Sequence, residues 1–212
     1  MVTPHDIGAT PVAGRGFMLS AIIATRESER LLVPTLAALV PGATAGVLTD
    51  VIVADGNSSD DTEKVADIAG CKFFASAAPA GTRLREAARQ AKSPWLMFLR
   101  PGAVPDPGWI VAVERFVADC EHEGVSASRA ATFSPAPAGG IGRSAVADAV
   151  AALRAALRRR HAPEQGLVIH RRFYDQLGGH ADGDDAEALL LRKLGTRRIA
   201  RLGAGVRLRT AS

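Results

Sequence analysis

Residues 51–62 read VIVADGNSSDDT, and this stretch decides the fold. Extended back to Val47, its first part is a short apolar run rich in β-branched residues, the composition of a buried strand over Val47–Ala54. Asp55 ends the run and opens a Gly56-Asn57-Ser58-Ser59 turn. A helix is expected next over Asp60–Ala69, with Asp60 and Glu63 spaced as in a capping box. A strand that ends in a carboxylate, turns tightly and enters a helix is the start of a strand–helix unit. The Asp55 carboxylate can accept a hydrogen bond from a nucleobase N–H, and the turn amides offer donors to an anion. The same residues serve equally well to shape an Asx turn and cap the helix. From chemistry alone both readings stand.

Outward from this stretch the pattern repeats. Met18–Ala24 (MLSAIIA) is short, apolar and uncharged, a buried strand. A helix should follow between about Ser28 and Val40, with Pro34 tolerable only in its first turn. Lys72–Ala75 reads as a short strand, Thr82–Ala91 as an amphipathic helix and Trp95–Leu99 (WLMFL) as a central strand. Arg100–Pro107 holds three prolines, which argues against regular structure, and Trp109–Asp119 returns to helix. Repeated strand–helix units imply a mainly parallel sheet. In such sheets ligands sit beyond the carboxyl ends of the strands, where strand order reverses. That geometry selects three loops: Thr25–Ser28, Asp55–Asp60 and Arg100–Asp106.

The second half is less regular. Residues 1–15 form a Pro-, Gly- and Thr-rich lead-in, and Ala136–Gly142 another loop. Strands are expected at Ser126–Phe133, Gly166–His170 and Arg198–Leu202. Helices are expected at Ser144–Arg160, Arg172–Leu177 and Asp184–Leu194, the last opened by acids that favour its N-terminal dipole. With 212 residues and no convincing boundary, one domain is expected over 1–212.

Absences exclude several functions. The loop after the first strand, Ala24-Thr25-Arg26-Glu27-Ser28, has no glycine, so the dinucleotide fingerprint is missing. GxxxxGK[ST], GxSxG and HExxH are missing as well, which argues against P-loop nucleotidases, serine hydrolases of the elbow type and zincins. The formal charge of +4 comes from a late Arg-rich region, at Arg158–Arg160 and from Arg192 to Arg209. No aromatic residues interleave it, so a single-strand nucleic-acid platform is not expected. Cys71 and Cys120 show no CxxC spacing and read as buried free thiols. Neither a signal peptide nor a membrane span is legible, so a cytoplasmic protein is expected, with Arg154–Arg160 as the candidate peripheral membrane contact.

Three segments carry a resemblance: LSAIIATRESERLLVPTLAAL, DVIVADGNSSDDTEKVADIAGCKF and PWLMFLRPGAVPDPGW. In order and spacing they resemble glycosyltransferase family 2 over roughly residues 17–115, and QGLVIHRRFYDQLGGH resembles its acceptor-side strand and helix. The resemblance implies an α/β, Rossmann-like fold of the glycosyltransferase A type. Its nucleotide-binding half would span about 17–120 and its acceptor-side half about 121–212. It implies a nucleotide-diphosphate sugar as donor, most often with uracil, and transfer to an acceptor that the sequence does not disclose. Matched position by position, Thr25, Asp55 and Gly56 fall in the nucleoside-binding segments, and Gly81 and Arg83 where the family approaches the donor. The stretch Asp184-Asp185-Ala186-Glu187 matches the one that supplies the catalytic base, making Asp185 and Glu187 the candidates.

The chain departs from the family after WLMFL. Relatives hold Mg²⁺ or Mn²⁺ there with two carboxylates one residue apart. This chain has Arg100-Pro101-Gly102-Ala103 instead, and its nearest acid is Asp106. No metal ligands are expected. Either Arg100 takes over neutralisation of the diphosphate, since a guanidinium can hold phosphate oxygens bidentately, or the domain binds a nucleotide or a partner protein without transferring sugar.

Overall fold

A computed structural model describes residues 18–135 and 161–210. The expected loop at 136–142, the helix at 144–160 with its Arg cluster and the N-terminal lead-in lie outside the described residues. The described strands are β1 (Leu19–Thr25), β2 (Leu48–Asp55), β3 (Lys72–Ala75), β4 (Trp95–Leu99), β5 (Ala103–Pro105), β6 (Ala130–Pro135), β7 (Leu167–His170) and β8 (Ile199–Leu208). The helices are α1 (Glu29–Thr44), α2 (Thr62–Ile68), α3 (Ala80–Gln90), α4 (Trp109–His122), α5 (Arg171–Gln176) and α6 (Ala186–Leu194).

The strands form one sheet in the order β3-β2-β1-β4-β7-β6-β8-β5. β3, β2, β1 and β4 are mutually parallel, and beyond β4 the sheet is mixed. The chain moves outward from β1 to β3 and then returns to lay β4 on the other side of β1. Strand order therefore reverses between β1 and β4, where a crevice opens beyond the strand ends.

Helices cover both faces, so the inner strands are apolar throughout rather than alternating. Side-chain alternation divides them between two cores. Leu19, Ala21, Ile23, Val53, Trp95, Met97 and Leu99 face α1 and α4. Ile22, Ile52, Ala54, Leu96 and Phe98 face α3, α5 and α6.

Four expectations fail here. α1 runs through Pro34 and Pro41 to Thr44. Each proline forfeits one helical hydrogen bond, but the buried stripe Leu32, Thr35, Leu36, Leu39 and Gly42 keeps the segment on the sheet. The capping box of α2 does not form. Instead the Asp60 carboxylate accepts from the Thr62 N–H at 3.1 Å and, across the site, from the Glu29 N–H at 3.0 Å. The loop after β4 contains a strand, β5, paired antiparallel with β8. It lies at the sheet edge, the position where Pro105 is tolerated. β8 itself extends past Leu202 to Leu208: its register with β6 shifts between Arg201 and Gly205, and beyond the shift Gly205 and Val206 pair with β6 and Val206–Leu208 with β5.

Candidate functional site

The site begins where β1 and β2 end. Thr25 and Asp55 are register partners on these parallel strands, each about 1% exposed. The Thr25 hydroxyl donates to Asp55 Oδ1 at 2.7 Å. The Ser58 hydroxyl donates to the same oxygen at 2.7 Å, and the Ser58 N–H donates to Asp55 Oδ2 at 2.6 Å. Asp55 thus closes an Asx turn and also ties the two strand ends together. Gly56 continues the tie, its N–H donating to the Thr25 carbonyl at 2.9 Å.

Arg83, on α3, lies beneath the two strand ends and is 6% exposed. Its Nη1 donates to the Thr25 carbonyl at 2.9 Å and to the Ala54 carbonyl, and its Nε donates to the Ala78 carbonyl at 3.0 Å. Burial pulls this guanidinium below its ordinary value, against the opposing fields of Asp55 and Asp184. Gly81, one turn earlier, lets the start of α3 meet the segment before α6. A Cβ there would sit 1.9 Å from the Ala181 carbonyl oxygen.

Sequence reasoning missed a second layer that joins the first two loops. The Glu27 N–H donates to the Ser58 hydroxyl at 2.7 Å, and the Ser59 N–H donates to Glu27 Oε1 at 2.8 Å. The Ser28 N–H donates to the Thr62 hydroxyl at 3.0 Å. Glu27 and Asn57 are the described non-glycine residues at positive φ, 48° and 58°. Asn is at ease there; Glu is not, and cross-bonding holds it in place. The density of Ser, Asp and Thr over 58–62 was the available signal, but not which donor meets which acceptor.

Facing Thr25 across the β1–β4 crevice is a cleft of about 610 Å³, lined among others by Arg83, Arg100, Asp184, Glu187 and Arg209. Two expected residues meet in its wall. Arg100 Nε donates to Glu187 Oε2 at 2.6 Å, and Arg100 Nη1 donates to Glu164 Oε1 at 3.0 Å. Burial pushes the Glu187 carboxyl above its ordinary value; Arg100 opposes this, and Glu164 adds to the rise. Asp185, the other candidate base, is the exposed N-cap of α6 and is not part of the cleft lining, whereas its neighbour Asp184 is. Gly56 and Gly81 act through close packing.

These residues do not fit a divalent cation. Among the described residues, no group of three His, Cys, Asp or Glu side chains is placed to hold a metal ion. The carboxylates at Arg100, Glu164 and Glu187, are already bonded to its guanidinium, which repels a second cation.

His180 is a core residue. It is 1% exposed, its Nδ1 lies 2.8 Å from the Tyr174 hydroxyl, and its ring meets Phe98 edge-on. Burial pulls its pKa down to about 3, so it is neutral at ordinary pH. His170 is half-buried, caps α5 through its Nδ1 and packs against Trp95. Cys120 is buried and Cys71 partly so; burial pushes both thiols up to about 11.

No protein-family model matches this sequence, and no curated protein matches it. Solved structures do match. Glucosyl-3-phosphoglycerate synthase from Mycobacterium tuberculosis, in complex with phosphoglyceric acid, has a TM-score of 0.63 and 19% identity over 93% of this chain and 74% of that chain. The same synthase with Mn²⁺, uridine diphosphate and glucosyl-3-phosphoglycerate gives 0.61 and 20% over 93% and 74%. S. aureus TarS (residues 1–349) gives 0.64 and 14% over 88% of this chain and 58% of that one. Together with the sheet topology, this likeness shows a fold of the glycosyltransferase A type.

Proposed function

We propose that this chain is a glycosyltransferase that takes a sugar from a nucleotide-diphosphate donor, with a UDP-sugar favoured. One observation carries the reading: at the strand-order reversal, a single cleft has Thr25 on one side and an Arg100–Glu187 pair at 2.6 Å on the other. The nucleoside binds at the ends of β1 and β2, on Thr25 and Asp55, with the diphosphate toward Arg100. Similar solved structures carry uridine diphosphate and UDP-glucose in complexes with Mn²⁺. Residues up to about 120 form the donor half, and the rest forms the acceptor half.

In this reading the acceptor hydroxyl oxygen attacks the anomeric carbon and Glu187 takes the hydroxyl proton. The anomeric C–O bond to the diphosphate breaks, its electron pair leaves on the phosphate oxygen, and configuration inverts. Glu187 is preferred to Asp185 because it lines the cleft, and its raised pKa suits a group that must accept a proton. The rival reading, a nucleotide-binding domain without transfer, draws on Glu187, whose carboxylate is already bonded to Arg100.

Thermal shift and donor hydrolysis with UDP, GDP and their sugars, on wild type, Asp55→Ala and Glu187→Gln, separate the two. Donor hydrolysis that is lost in Glu187→Gln while UDP still stabilises the variant supports transfer. Stabilisation without turnover, in wild type as in Glu187→Gln, supports the binding domain. No stabilisation by any nucleotide defeats both.

A further inference from the structure

Arg100 holds two carboxylates with two different nitrogens. Nε is on Glu187, from the first turn of α6, and Nη1 is on Glu164, from the 3-10 turn Pro163–Gln165. A guanidinium has five N–H donors in a fixed fork, and among the described residues the Nη2 edge of Arg100 has no hydrogen-bond partner. The side chain is 37% exposed and lines the cleft. Arg26, Arg83 and Arg209 line the same cleft, so its lining carries four arginines against the acids Asp184 and Glu187. That balance suits a multiply charged anion. Arg83 is committed to main-chain carbonyls; of the other three, Arg100 is the one that directly follows β4.

We propose that Arg100 stands in this chain where a divalent cation would neutralise the diphosphate, and that Glu164 is a positioning residue which holds Arg100 there and competes with the diphosphate for it. The inference rests on the nucleotide-binding reading above. Two carboxylates around one guanidinium leave a local negative charge. An arriving diphosphate must therefore draw Arg100 from at least one of them. When it draws Arg100 from Glu187, it uncovers the carboxylate that accepts the acceptor's proton, so donor binding precedes activation of the acceptor. Glu164, whose side chain is 43% exposed, can release its partner to solvent without a large desolvation penalty.

The test is calorimetric titration of uridine, UMP and UDP, each with Mn²⁺ or with EDTA, into wild type, Arg100→Ala, Arg100→Lys and Glu164→Gln. UDP affinity should be the same in Mn²⁺ and EDTA. Arg100→Ala should weaken UDP roughly tenfold or more while leaving uridine unchanged, as expected for loss of one charge-assisted bidentate contact. Arg100→Lys, which keeps the charge without the fork, should lie between. Glu164→Gln should tighten UDP by roughly two- to fivefold, the scale of one partly exposed ion pair, with uridine again unmoved. A merely structural Glu164 would not separate the diphosphate from the nucleoside in this way. UDP binding that fails in EDTA overturns the inference, as do an Arg100→Ala loss shared equally by uridine and a Glu164→Gln variant with unchanged or weaker UDP binding. If uridine, UMP and UDP all fail to bind wild type, the nucleotide reading falls and takes this inference with it.

Discussion

Asp55 shows what a single residue contributes. Its carboxylate is a structural tie between β1, β2 and the following turn before any ligand arrives. Asp55→Asn keeps the size but loses acceptor capacity, because its –NH₂ faces donors. We expect it to destabilise the protein by about 1–3 kcal/mol, from buried donors left unsatisfied, and chemical denaturation measures this. Gly81→Ala should be worse tolerated than its helical position suggests. The added methyl meets the Ala181 carbonyl, so the roughly 1 kcal/mol propensity gain is outweighed by overpacking of about 1–3 kcal/mol or more. His180 makes a pH prediction. Its folded pKa of about 3 lies below the unfolded value near 6.5. Its stability contribution is therefore fully present above pH 6.5 and is lost as pH falls toward 3, with a limiting slope of about 1.4 kcal/mol per pH unit. Denaturation at pH 7.5 and pH 5 should show a smaller acid loss for His180→Phe than for wild type. Equal slopes would show that the histidine is not buried neutral.

At the scale of elements, helix contacts explain features that propensity disfavours. Gly42 lies inside α1, where glycine is costly, because the Trp109 indole of α4 rests on it. A Cβ would meet that ring at 2.6 Å. The indole N–H also donates to the Ala38 carbonyl of α1 at 3.1 Å. Gly42→Ala should thus lower the melting temperature, opposite to its effect in an isolated helix. Arg83 is the corresponding device between α3 and the strand ends. Arg83→Met keeps much of the length and removes the side-chain donor to each of the Thr25, Ala54 and Ala78 carbonyls. A loss of about 3 kcal/mol is expected from such buried charge-assisted bonds, read by urea denaturation in the absence of nucleotide. A variant as stable as wild type would return Arg83 to a purely ligand-facing role.

Across the whole molecule, stability should follow the sheet's layering. β1, β2 and β4 are covered on both faces, whereas β3 and β5 are short edge strands. Native-state hydrogen exchange should find Ile22, Ile52 and Met97 amides among the slowest and those of β3 and β5 opening earlier. No described helix is long and apolar enough to cross a membrane. The candidate cleft has one wall from the β1 end and α3 and the other from Arg100 and the start of α6. The closure of the mixed half of the sheet, through β5 and β8, brings Leu208 and Arg209 to the rim of the same cleft.

Much of the parallel half was legible because its signals are local. The strand runs at β1, β2, β3 and β4 stand out as short, largely apolar stretches, and Asp55 by ending one of them. Their order along the chain implies parallel pairing, hence where a ligand sits. The other wall depends on contacts between residues far apart in the sequence. Arg100 could be recognised as a departure from an acidic pattern, but only the fold sets Glu164 and Glu187 against it. Pro105 reads locally as a breaker, and pairing with Val206 of β8 across the sheet made it part of a strand. The sequence by itself determined the parallel frame and the carboxylate at its edge, because hydrophobic periodicity and turn chemistry act over a few residues. The tertiary structure alone decided that Asp55 is bonded to its own turn, that Asp185 lies outside the cleft, and that a guanidinium between two acids stands at the end of β4.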